Sequence, residues 1–373
     1  MPLTRRQFAL GLSALPLASA SIPFLPSALA AATAQATTGQ RVINLLVNPE
    51  PPSLTSFNTS AGTSILAGAK VAEGLLSYDA NLQPLPALAT EWSVSDDGLT
   101  YRFTLRQGVK WHDGEPFTAR DVALSLELNK RYHPRGGSTF ANLEQVEVPD
   151  EHTAVLHLAK PAPYLIRAFS GGETPILPSH LYAEGDPQRN PHNIAPVGTG
   201  PWRFKHWERG SYIALERNPD YWNPGHPGAD VLILKVIPDS AARLAAFENG
   251  TLDIGGESPV PLTELPRLTK TGQLKSTTEG YRYSITPTML EFNLDDPILA
   301  RLPVRQAIAH AIDREVIRKV VYYGYAEVSV SPIPKSFPQY HYDGANPYPL
   351  DLAKANALLD EAGLPKKAPA ASA

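Results

Sequence analysis

Residues 111–121, WHDGEPFTARD, crowd a His, two Asp, a Glu, a Thr and an Arg into one short run. Side chains of these types could move protons or hold a divalent cation. A metal site here would draw on His112, Asp113 and Glu115. Neighbouring residues of an extended segment point to opposite faces, however, so these three cannot converge on one ion. Each polar group instead has a local backbone task. Trp111-His112 ends a strand, Asp113-Gly114 is a type I′ turn signal, and Thr118-Ala119-Arg120-Asp121 has capping-box spacing ahead of the apolar run VALSLEL.

The remaining chemistry-bearing residues are scattered. The other histidines, at 133, 152, 157, 180, 192, 206, 226, 310 and 341, show no H-E-x-x-H or comparable spacing. Gly136-Gly137-Ser138 and Gly255-Gly256-Glu257-Ser258 are glycine-rich, yet neither forms a strand–Ser–helix elbow with an evident base, and no phosphate-cradling loop is present. With no catalytic residue, metal ligand set or cofactor motif to name, the expectation moves from catalysis toward binding.

The elements that must position these residues are short. Arg41–Val47 reads as a strand, and the apolar spacing over Ala61–Leu76 predicts a helix. Hairpins are predicted at Glu91–Ser95 with Thr100–Arg106, at Leu143–Val148 with Thr153–Leu158, and at Trp202–Trp207 with Ser211–Arg217. VLILKVI at 231–237, the helix SAARLAAFENG capped by Asp239 or Ser240, and the strand TLDI compose a βαβ unit with a locally parallel strand pair. YRYSITPTMLEFN is β-like. PVRQAIAHAIDREVIRKVVYYG reads as one long helix, with Pro303 in its first turn and Val304, Ile308, Ala311, Ile312, Val316 and Val320 along one stripe. A last helix, DLAKANALLDEAG, ends at Gly363, and PKKAPAASA is low-complexity.

Composition narrows the function classes. The chain has 373 residues, 43% hydrophobic and 19% charged, enough to bury a sizeable core over two or more domains. Its 37 prolines favour short elements joined by rigid loops over a helical bundle, so an α/β or α+β architecture is expected. Residues 1–34 have the layout of an export signal. Arg5-Arg6 precedes a charge-free run from Phe8 to Ala36, with small-residue sites at Ala28-Leu29-Ala30 and Ala32-Thr33-Ala34. The Arg pair with Phe8 resembles a twin-arginine signal; an ordinary secretory signal is the alternative. Pro16, Pro23 and Pro26 interrupt the run short of the roughly 20 apolar residues that span a bilayer.

Loss of that leader removes Arg5 and Arg6 from 33 basic residues and none of the 37 acidic ones, leaving a net charge of about −6. Nucleic acid and anionic membranes are poor partners for such a surface. There is no cysteine, hence no disulfide, thiolate nucleophile, Cys-ligated metal or lipid-anchor Cys. A soluble, exported, periplasmic protein is the simplest expectation.

Six blocks carry a family resemblance: VAEGLLSYD (71–79), PALATEWSVSDDGLTYRFTLRQGVKWHDGEPFTARDV (86–122), PVGTGPWRFKHW (196–207), LERNPDYW (215–222), IPDSAARLAAFENGTLDI (237–254) and VRQAIAHAIDRE (304–315). In this order they resemble the family 5 extracellular solute-binding proteins, the peptide- and oligopeptide-binding components of ABC transporters. The resemblance implies an α/β, two-lobed periplasmic-binding-protein-like fold of class II type with mixed sheets, closing on a ligand in the interlobe cleft. Lobe I would comprise a core (35–75 and 176–288) and an inserted subdomain (76–175); lobe II would occupy 289–373.

It also implies a non-enzymatic role. The ligand, a peptide or similar small solute, would be passed to a permease in the inner membrane, with no cofactor and no nucleic acid, by a protein acting as a monomer. Carried across position by position, the cleft contacts are Ser60, Ala61, Gly62, Phe140, Gly256, Glu257 and Leu290. A carboxylate in a closing cleft requires a cationic partner, so Glu257 implies a positive group on the ligand.

Family members continue well past the equivalent of this chain's last helix, so lobe II is expected to be incomplete and the chain to be C-terminally truncated. A short variant and completion by a second polypeptide remain open, as do a non-functional fragment and, from another class, a secreted hydrolase.

Overall fold

A computed structural model describes residues 39–256, 258–279, 288–333, 335, 337–338 and 340–364. The export-signal reading, Glu257, the YRYSITP part of the β-like run and the PKKAPAASA tail lie outside the described residues.

In chain order the first elements are β1 (Val42–Val47), α1 (Gly62–Gly68), β2 (Leu76–Tyr78), β3 (Pro84–Pro86), β4 (Ala89–Val94), β5 (Thr100–Leu105) and α2 (Ala119–Tyr132). Next come α3 (Gly136–Thr139), β6 (Leu143–Asp150), β7 (Thr153–Leu158), α4 (Ser179–Tyr182), β8 (Trp202–Glu208), β9 (Tyr212–Arg217) and β10 (Val231–Val236). The series ends with α5 (Ser240–Glu248), α6 (Leu265–Thr269), α7 (Leu302–Ala311), α8 (Arg314–Val320) and α9 (Leu352–Glu361).

The strands form two four-stranded sheets, β1-β10-β9-β8 and β4-β5-β7-β6, and the small pair β2-β3. All three predicted hairpins are present, because alternation in stretches such as TYRFTLR fixes which face each residue takes: Tyr101, Phe103 and Leu105 are buried while Arg102 and Thr104 are exposed. The buried face of β4-β5-β7-β6 packs with α2 in a core that includes Phe103, Trp111, Leu126, Phe140 and Phe169. A second core joins β1, β8, β9 and β10 to Leu54, Ala67 and Val71. Phe247 of α5 belongs to a third, with Leu46, Leu252 and Val260.

Three expectations need correction. The βαβ unit exists, but its strands are not neighbours: β10 and the Ile254 segment both run parallel to β1 and flank it on opposite sides. The helix expected over Ala61–Leu76 stops at Gly68. A Cβ on Gly68 would lie 2.9 Å from the Leu54 carbonyl oxygen and one on Gly74 2.1 Å from that of Phe169, so tertiary packing takes this chain over and leads it into β2. The long helix after Leu302 is two helices. The Asp313 side chain accepts the Val316 N–H at 2.9 Å and starts α8 afresh, which resets the facing: Val304, Ala307 and His310 are buried, whereas Val316 and Val320 are 51% and 64% exposed.

Candidate functional site

The run WHDGEPFTARD folds as a turn leading into a capped helix. Gly114 donates to the Trp111 carbonyl at 2.9 Å and Trp111 N–H donates to that of Glu115 at 2.8 Å. Gly114 alone of the Asp-Gly pair takes a positive φ, +98°, so the turn is not the expected type I′, which needs positive φ at both central residues. Asp121, 2% exposed, accepts the Thr118 N–H at 2.8 Å, the Ser179 N–H at 2.8 Å and the Trp111 indole N–H at 3.3 Å.

His112 reaches across to the PVGTGPW loop. Its Nδ1 accepts the Gly198 N–H at 3.2 Å, which puts the proton on Nε2, and Nε2 donates to the Gly200 carbonyl at 2.9 Å. Burial, offset in part by the Gly200 bond, pushes the imidazole down to about 4, so it is neutral. Asp113 turns the other way and meets His180 at 2.7 Å. Among the described residues no group of three or more His, Asp or Glu could hold a metal ion.

The same loop closes a buried polar cluster. Glu73 accepts from Thr199 Oγ1 at 2.9 Å, Tyr221 OH at 2.8 Å and Trp222 Nε1 at 3.0 Å, while the Arg106 guanidinium lies 3.9 Å from the Trp222 ring centre. Burial raises the Glu73 carboxyl above its ordinary range against the pull of those donors, and burial with the nearby carboxylate raises the Tyr221 phenol. This cluster ties three of the family-like blocks together.

Polar groups also gather around a hollow beside α3. His133, Thr139, Phe140, Tyr164, Arg167, Ala168, Glu173 and Thr174 line a cavity of about 210 Å³. Phe140 is 2% exposed, so it contributes a wall from within the core. His133 Nδ1 accepts the Arg135 N–H at 3.2 Å, and burial, then the Arg135 charge, holds the ring below its ordinary pKa. The Arg135 guanidinium pairs with Glu173 at 2.7 Å. Arg167 donates to the Tyr340 hydroxyl at 2.6 Å, its guanidinium carbon 5.7 Å from the Tyr340 ring centre. A wider recess of about 380 Å³ includes Ser53, Asn58, Thr59, Arg189 and Asn190.

Of the cleft contacts read from the sequence, Ser60 and Gly62 are exposed and Ala61 half-buried at the start of α1. The adjoining Ile65 methyl would stand 3.0 Å from a Cβ on Gly172, next to the cavity residues Glu173 and Thr174. Gly256 is exposed with open space around it, and Leu290 is 59% exposed; no described contact joins either to Phe140. His133, Tyr164, Arg167 and Glu173 escaped sequence reading. Arg167 carried a faint signal, as the lone charge in APYLIRAF.

Residues 83–370 match the family model described as bacterial extracellular solute-binding proteins, family 5 Middle. The chain belongs to this family. Its members are substrate-binding proteins of transporters, not enzymes. A putative ABC transporter peptide-binding protein of Brucella ovis is 33% identical over 309 residues, covering 79% of this chain and 55% of the relative. A glutathione-binding protein of Salmonella typhi is 30% identical over 296 residues, covering 79% and 56%. Among solved structures, the Bacillus subtilis oligopeptide-binding protein AppA in complex with a nonapeptide superposes with a TM-score of 0.74 at 28% identity, over 87% of this chain and 64% of that one. The fold is therefore that of the family 5 periplasmic binding proteins. The chain spans about half the length of the curated relatives it matches.

Proposed function

We propose that this chain serves as the solute-binding component of an ABC importer, capturing a peptide or similar small solute and presenting it to a permease in the inner membrane. The observation that carries this reading is the family match over residues 83–370, with relatives whose names specify peptide and glutathione binding. The protein works as a periplasmic monomer, exported by the twin-arginine-type leader at 1–34. Among the described residues no helix is long and apolar enough to cross a membrane. Transport is driven by differential affinity for the ligand between open and closed forms, not by covalent chemistry.

The division into a lobe I core (35–75 and 176–288), an inserted subdomain (76–175) and a second lobe from 289 is supported by sheet membership. The sheet β1-β10-β9-β8 draws on residues either side of 76–175, and β4-β5-β7-β6 lies wholly within that interval. Ser60, Ala61, Gly62, Phe140, Gly256, Glu257 and Leu290 contribute ligand contacts, with Glu257 facing a positive group on the ligand. Thermal-shift screening against di- to nonapeptides and glutathione tests the reading: a concentration-dependent rise in Tm with at least one of them is expected. A flat response across the panel overturns peptide binding. Equal affinity of wild type and Glu257→Gln for the ligand found removes the cationic-group assignment.

A further inference from the structure

We infer that Arg167 and Tyr340 form a reversible latch that holds the segment 289–364 against the inserted subdomain 76–175. The inference rests on the solute-binding proposal only for its use, since in that reading the latch biases the protein toward its closed form.

Three observations carry it. Arg167 Nη1 donates to the Tyr340 hydroxyl at 2.6 Å, with the guanidinium carbon 5.7 Å from the ring centre. Among the described residues this is the one hydrogen bond between 289–364 and 39–279, and no salt bridge joins the two. None of the apolar cores built around Phe103, Leu234, Phe247 and Phe57 contains a residue after Leu274. Second, Arg167 stands on a fixed post. It ends the turn Pro163–Arg167, between the buried Leu165 and Phe169. The Tyr78 hydroxyl pins that turn by donating to the Ile166 carbonyl at 2.7 Å and accepting the Phe169 N–H at 3.1 Å. Third, the other side is knit together. Arg301 Nη1 donates to the Ala362 carbonyl at 2.8 Å, Arg314 Nη1 to that of Tyr348 at 2.9 Å, and the Asp351 N–H to that of His310 at 2.9 Å. A hold on Tyr340 therefore acts on α7 and α9 as well.

The chemistry of the contact suits a latch better than a lock. Arg167 meets a neutral hydroxyl, not a carboxylate, and Tyr340 is 55% exposed. On opening, the hydroxyl returns to water and no buried charge is stranded, so the contact breaks without the penalty of a severed buried ion pair. Its strength is that of one charge-assisted hydrogen bond and one exposed cation–π contact. A ligand that prefers one arrangement of the lobes can outweigh a bias of that size.

The test uses the whole chain, which has no cysteine of its own. Glu144→Cys on β6 and Lys354→Cys on α9, both exposed positions, carry nitroxide labels, and pulsed EPR gives the distance distribution between them without ligand. The labelled parent is expected to show one narrow distribution. Arg167→Gln should broaden it and add a longer component. Tyr340→Phe, which keeps the ring and loses the hydroxyl, should do so to a smaller degree. Urea midpoints of both variants should match the parent's. Identical distributions in all three proteins, or a broad one already in the parent, overturn the inference. So does broadening that comes only with a large fall in the urea midpoint, which is the mark of a merely structural contact. Should Arg167→Gln fail to fold, Tyr340→Phe decides alone. A latch seen in a protein whose Tm no peptide raises rejects only peptide binding, whereas peptide binding with unchanged distributions rejects only the latch.

Discussion

Glu73 and Tyr221, 148 positions apart in the chain, meet at 2.8 Å through a hydroxyl–carboxylate hydrogen bond, with Trp222 and Thr199 donating to the same carboxylate. Three donors around one buried acid make it an organising centre for VAEGLLSYD, PVGTGPW and NPDYW. Glu73→Gln replaces one acceptor oxygen with an NH₂ group that faces those donors. A loss of about 2–3 kcal/mol in urea unfolding is expected at neutral pH. Because burial raises the Glu73 carboxyl, its contribution is present below the ordinary glutamate range and is lost as pH rises through the raised value; the variant lacks that slope.

Gly198 is held against Val71 so closely that an added Cβ would lie 1.9 Å from the Val71 carbonyl oxygen. Backbone there cannot yield, so Gly198→Ala is expected to cost about 3 kcal/mol or more, or to prevent folding. Gly137 has open space and no positive φ, and Gly137→Ala should leave the unfolding midpoint unchanged.

His112 gives the fold a pH dependence of known sign. Its folded pKa, about 4, lies below the ordinary value of 6.5, so its contribution is complete above pH 6.5 and is lost as pH falls toward 4. The loss amounts to on the order of 3 kcal/mol over that window. Urea midpoints measured from pH 7.5 to 4 should fall steeply in the wild type and more gently in His112→Asn.

The cap of α2 is testable by two substitutions of different severity. Thr118→Ala removes a helix-capping side chain and should cost about 1 kcal/mol. Asp121→Ala leaves the Ser179 and Trp111 N–H groups without an acceptor and should cost about 3 kcal/mol, read by chemical denaturation.

On α8, Val316 and Val320 are more than half exposed. The double substitution to Ser should change stability by no more than about 0.5 kcal/mol, whereas Val304→Ser, 4% exposed on α7, should cost about 2 kcal/mol.

What was legible in the sequence follows from the range of the forces involved. The hairpins around TYRFTLR and ALERNPD were readable because alternation and turn residues act over a few positions. The capping spacing of Thr118 and Asp121 was readable for the same reason. The stop of α1 at Gly68 was not, since it depends on the Leu54 and Phe169 carbonyls, and neither was the separation of β10 from the Ile254 segment by β1. His112 reads from the sequence as part of a turn, but its partners Gly198 and Gly200, 86 and 88 positions away, come to it only through folding. The cavity shows the same limit: Phe140 was singled out by family resemblance, while His133, Arg167 and Glu173 join it only through folding.

Solute binding itself is tested most directly by isothermal titration calorimetry of the purified chain with the peptide that gives the largest thermal shift. The account predicts a saturable heat with a stoichiometry of one ligand per chain. Heats no larger than dilution for every peptide and for glutathione, measured on protein that unfolds cooperatively, would contradict it.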